Sequence, residues 1–104
     1  MIVRIVKMTF KEEYTEDFKK FSLSLKDIIQ NQEGCSFLEI LQDTIDPKIF
    51  FTCSHWVSKE DLDRYRQSDF FKKVWFKAKQ WFADKPEAWS LLKTENERDE
   101  HNKR

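Results

Sequence analysis

The chain has 104 residues, 19 of them basic and 19 acidic, so its formal net charge is zero. A neutral chain lacks the basic surplus that draws a protein to nucleic acid or to anionic lipid. A single domain of this size buries only about two-thirds of its unfolded surface, and ten Phe, four Trp and two Tyr supply the rich core that this demands.

The opening segment "MIVRIVKMTF" is too short and too interrupted by charge for a signal peptide or a membrane span. The expected compartment is therefore the cytoplasm. Residues 2–10 read as a strand by their β-branched content. One face carries Val3, Ile5, Lys7 and Thr9, and the other Ile2, Arg4, Val6, Met8 and Phe10. Both faces hold apolar residues, so both are expected to be covered, whereas an open antiparallel sheet alternates cleanly between apolar and polar.

The period changes over residues 14–30. Tyr14, Phe18, Phe21, Leu25 and Ile28 follow helical spacing, Ile29 widens the stripe, and Thr15 is a candidate N-cap followed by Glu16 and Asp17. Gly34 in "NQEGC" stops this helix, free to take a positive φ. Residues 36–43 and 48–56 flank the turn signal Asp46-Pro47 and form a hairpin. In that hairpin Cys53 falls opposite about Leu38, roughly 10 Å along the strand from Cys35, so no disulfide is expected between the two thiols.

Ser58 is an N-cap before "KEDLDRYRQ", with Asp61 in the capping-box position. Asp69 restarts a helix in which Phe70, Phe71, Val74, Trp75, Ala78, Trp81 and Phe82 fall within about 140° of arc. "DKP" ends it, and residues 87–94 read as a last strand. The stretch 95–104 has no apolar residue and is expected to be a disordered polar tail after a domain spanning 1–94.

The order β-α-β-β-α-β is the ferredoxin-like α+β plan, an antiparallel four-stranded sheet with helices on one face. The second face needs a partner, and a homodimer packed sheet to sheet is the simplest one. RNA-recognition modules share this strand order but place stacking aromatics on a glycine-containing strand; "KIFFTCSHW" has no glycine, and no nucleic-acid partner is expected.

The corner "SHWVSKEDLDRYRQSDFF", residues 54–71, gathers the candidate site residues. His55 is a candidate catalytic group or a strand-end histidine bonded to backbone or water. It makes a poor metal ligand, since the other histidine, His101, lies in the tail and zinc needs three or four ligands. Trp56 faces away from His55 and reads as core or pocket wall. Trp75 lies at the edge of its helical stripe and reads as core or cleft lining. Tyr65 follows Leu62 by three residues, so its ring can pack inward while its hydroxyl reaches a cavity or solvent.

The chain resembles antibiotic biosynthesis monooxygenase (ABM) domains of the dimeric α+β barrel superfamily over about residues 1–94. The resemblance rests on "IVRIVKMTF", on "EGC", on the corner "HWVSKEDLDRYRQSDFF" and on "KPEAW". It implies cofactor-free oxygenation of a small phenol or hydroquinone in a dry pocket lined by Trp56, Tyr65, Phe71 and Trp75, with Tyr65 as the candidate catalytic residue. The alternative is a non-catalytic dimer that binds a small apolar molecule. By the same resemblance Tyr65 stands where many relatives carry a histidine, and a tyrosine with a pKa near about 10 is the poorer base because it holds its proton. Haem-degrading relatives use an Asn on strand one, a Trp on the short helix and a His further along. Here no asparagine precedes Asn31, and Tyr65 and Trp75 occupy the other two positions. Neither haem nor another cofactor nor a metal is expected.

Overall fold

Strand β1 (Ile2–Thr9) is followed by a 3-10 turn at Glu12–Tyr14 and by helix α1 (Thr15–Gln30). The hairpin β2 (Cys35–Gln42) and β3 (Ile49–Trp56) leads into two short helices, α2 (Lys59–Arg66) and α3 (Asp69–Lys79), and β4 (Glu87–Leu92) closes the order. This computed structural model describes residues 1–94, and the expected polar tail at 95–104 lies outside them. The four strands form one antiparallel sheet in the order β2-β3-β1-β4, the ferredoxin-like arrangement. No described helix is long and apolar enough to cross a membrane.

Strand alternation sorts the side chains. Arg4, Val6 and Met8 of β1 pair with Ser54, Thr52 and Phe50 of β3, and this row faces the helices. Met8, Phe10, Phe18 and Phe50 form the buried cluster, with Phe10 stacked on Phe18 at 4.1 Å between ring centroids. Phe50 meets both rings edge-on, the arrangement that the ring quadrupoles favour.

The structure corrects three expectations about the helices. Thr15 is the first residue of α1 rather than its cap, and its hydroxyl donates back to the Glu12 carbonyl. The inward face of α1 runs through Phe18, Ser22, Leu25 and Ile29, an i, i+4, i+7, i+11 row that leaves Ile28 exposed. Helix α3 ends at Lys79, before Trp81 and Phe82. Phe82 instead bridges to Phe10 across the sheet edge, and the Ala83 amide donates to the Thr9 carbonyl.

Gly34 takes φ 84°, and a Cβ there would run into the Asp61 side chain, so glycine is required on two counts. The Ser58 cap is in place: its Oγ accepts from the Asp61 amide at 3.1 Å. Ser58→Ala is expected to cost about 0.5–2 kcal/mol, read from the urea midpoint at unchanged slope. Ser68 caps α3 in the same way and also donates to the Tyr65 carbonyl at 2.6 Å, fixing the angle between the two short helices. Both cysteines are free thiols. Cys53 pairs with Glu39, one residue from its expected partner, because the turn sets Gln42 opposite Phe50; a bulge between Cys35 and Phe37 then shifts only the start of β2.

Candidate functional site

The helices do not close fully onto the sheet. A cavity of about 300 Å³ lies between them, near the lower end of the range for small-molecule sites. Its floor comes from β1 and β3, through Arg4, Val6, Thr52, Ser54 and Trp56. Leu25 and Ile29 of α1, Tyr65 and Arg66 of α2, and Phe71 and Trp75 of α3 form its walls.

Trp56 is buried, and its indole stacks on Tyr65 at 5.0 Å. Tyr65 meets Phe71 edge-on at 5.1 Å, and Phe71 stacks on Trp75 at 5.9 Å. The four aromatics read from the sequence as pocket residues therefore form one continuous wall. The cause is local: Ser58 and Ser68 start the two short helices at fixed points, so Tyr65 and Phe71 lean back onto the end of β3.

Burial pushes the Tyr65 phenol well above its usual range, and the neighbouring Cys35 adds to the shift. Its hydroxyl makes no hydrogen bond among the described residues, so it stands as a neutral donor with no protein acceptor. Holding its proton, it is a donor and not a base at neutral pH.

His55 is elsewhere. Strand alternation sends it to the outer face of the sheet, where its ring packs against Phe37 at 4.6 Å. It does not line the cavity, so the two candidate catalytic residues, His55 and Tyr65, are not brought together there. Burial and Lys93 both lower its pKa from the ordinary 6.5, while Glu39 opposes them. A histidine depressed in the folded state binds fewer protons than the unfolded chain, so stability is full above the unfolded pKa and falls as pH drops through about 6.5. Wild type is expected to melt lower at pH 5.5 than at pH 7.5 by a margin that His55→Gln reduces.

Spacing did not single out Arg4, Ser54 or Arg66, yet all three line the cavity. The signal was present: Arg4 shares a strand face with Val6, Met8 and Phe10, and Arg66 follows Leu62 by one helical turn. Among the described residues no group of three or more His, Cys, Asp or Glu side chains converges.

Residues 1–75 match the family model for antibiotic biosynthesis monooxygenase, the ABM domain. The chain belongs to the ABM family. That match spans β1 through most of α3 and so includes every aromatic of the cavity wall. Solved structures share the ABM fold over nearly the whole chain. A conserved protein from Methanosarcina mazei is 24% identical with a TM-score of 0.83, covering 90% of this chain and 94% of that one. A candidate antibiotic biosynthesis monooxygenase from Nitrosomonas europaea is 20% identical with a TM-score of 0.83, covering 90% and 99%. Another from Deinococcus radiodurans is 14% identical with a TM-score of 0.79, covering 90% and 95%. A search of the curated proteins gives no match.

Proposed function

We propose that this ABM protein is a homodimeric, cofactor-independent monooxygenase that acts on a small aromatic or quinol-like compound in the cavity between helices and sheet. The observation that carries the reading is the wall of Trp56, Tyr65, Phe71 and Trp75 around an apolar space of ligand size. An electron-rich phenol can supply all four electrons that O₂ requires. One oxygen atom enters the ring, the other leaves as water, and the product is a quinone. The protein then has to exclude water, hold the ring and help the phenol give up its proton. Tyr65, still protonated, serves the second task by donating to a substrate oxygen. Two free thiols fit a reducing compartment such as the cytoplasm.

A second reading has its own support. His55 points away from the cavity, and the Tyr65 hydroxyl holds its proton, so neither supplies a base there. A non-catalytic dimer that binds a small aromatic molecule needs no base. Oxygen uptake with a panel of hydroquinones separates the two. The monooxygenase reading expects uptake above the uncatalysed rate, reduced by about tenfold in Tyr65→Phe with an unchanged melting temperature, since one lost charge-assisted bond is worth about 1.4 kcal/mol. Uptake equal to buffer across the panel removes catalysis and leaves binding.

A further inference from the structure

The cavity is mostly apolar, and its two cationic side chains lie near each other. Arg4 of β1, Ser54 of β3 and Arg66 of α2 all line it. Arg4 and Ser54 are cross-strand neighbours, and Arg4 Nη1 donates to Ser90 Oγ at 2.9 Å. That bond uses one of five guanidinium donors, and its acceptor carries no charge. Neither Arg4 nor Arg66 takes part in an ion pair among the described residues. The carboxylate closest in charge to both is Asp63, and it is already held by Lys59 at 2.8 Å. Glu87 also borders the cavity, but Arg4 pairs with Ser90, three residues along β4, which puts Glu87 roughly 10 Å down the strand.

Two cations beside one apolar space repel each other, and Asp63, shared with Lys59, offsets this only in part, since the Arg4 pKa still falls. Burial and Arg66 together pull the Arg4 pKa below its ordinary value, as expected for such an arrangement. Ser54 adds an independent sign. It is buried, with 7% of its surface exposed, and its Oγ accepts from Trp56 Nε1 at 2.9 Å. No described acceptor takes the Ser54 hydroxyl hydrogen, so a buried donor is left for something in the cavity.

We propose that the Arg4–Ser54–Arg66 group of the cavity binds the carboxylate of an aromatic acid, whose ring lies against Trp56, Tyr65 and Trp75. Guanidinium forks match a planar carboxylate geometrically, and the Ser54 hydroxyl adds a third donor. The proposal rests on the cavity being the ligand site of the function proposed above, and it narrows the substrate to one bearing an acid group.

The test uses the full chain, with tryptophan fluorescence or calorimetry at pH 7.5, and three probes of one shape: 2-naphthoate, 2-naphthamide and 2-naphthol. The acid is ionised at this pH, while the amide and the phenol are neutral. Naphthoate is expected to bind at least about tenfold tighter than either, and the advantage should shrink as salt is raised. Arg66→Gln, at an exposed position, should cut naphthoate affinity about tenfold and leave naphthamide unchanged. Arg4→Gln should do the same, with circular dichroism checking that it folds. Naphthamide or naphthol binding as tightly as naphthoate overturns the proposal, as does an acid preference that survives Arg66→Gln. Failure of all three probes to bind at millimolar concentration also overturns it. Because binding is read without turnover, a preference for naphthoate stands even where no hydroquinone is oxidised. Conversely, oxidation of hydroquinones without that preference removes this inference alone.

Discussion

Replacing Trp56 with alanine is expected to remove about 3–5 kcal/mol of stability, the range for truncating a buried large aromatic. Trp56 is only 1% exposed, and three unrelated contacts depend on it. Its ring stacks on Tyr65, its Nε1 donates to Ser54, and its backbone pairs with both Ile2 and Cys35. The alanine variant keeps only the backbone pairing. It also joins the lost volume to an existing cavity, where the surrounding helices cannot easily collapse. Small domains have about 5–15 kcal/mol in total, so the variant loses a large share of its margin. Urea denaturation followed by circular dichroism measures this directly, provided the slope stays constant. A loss under about 1 kcal/mol would show that Trp56 is pocket lining without a core role.

Much of this corner was legible because the sequence writes it in local rules. A serine three residues before an acid marks a helix start, and Ser58 caps α2 accordingly. Alternation along "KIFFTCSHW" alone puts His55 and Trp56 on opposite faces. It could not say which face carried the cavity, because that depends on where α1 and α3 dock. The end of α3 was misread for a similar reason. Trp81 and Phe82 continue the helical arc, but Phe82 answers to Phe10 at the other end of the chain, and local periodicity cannot see such a partner. Locally none of Arg4, Ser54 and Arg66 stands out: Arg4 is a single polar residue in an apolar strand row, Ser54 shares its row with Thr52, and Arg66 belongs to a helix charged almost throughout. Pattern reading averages such residues away, and their meaning comes only from being brought together in space.

Ile5→Asp is expected to convert the proposed dimer into a folded monomer. Ile5 sits at the centre of the outer sheet face, between Cys53 of β3 and Trp89 of β4. Val3, Phe37, Leu41, Phe51 and Leu91 share this face by register, and no helix covers it. Trp89 is 42% exposed, Leu41 45% and Leu91 49%, which is a large apolar surface to leave in water. In the proposed homodimer a second copy packed by a two-fold axis would cover it with the same patch, and obligate interfaces of this kind bury more than about 2,000 Å². The symmetry doubles the effect of any substitution, since each dimer carries two. A carboxylate placed in that interface without a partner costs several kcal/mol, so the pair should weaken association by at least about a thousandfold, or ~4 kcal/mol. The monomer fold should survive, because Ile5 faces away from the Phe10–Phe18–Phe50 cluster. Sedimentation velocity at micromolar concentration reads the outcome, with circular dichroism confirming the fold. A wild-type chain that sediments as a stable monomer removes the interface. An Ile5→Asp protein that remains dimeric moves it to another surface.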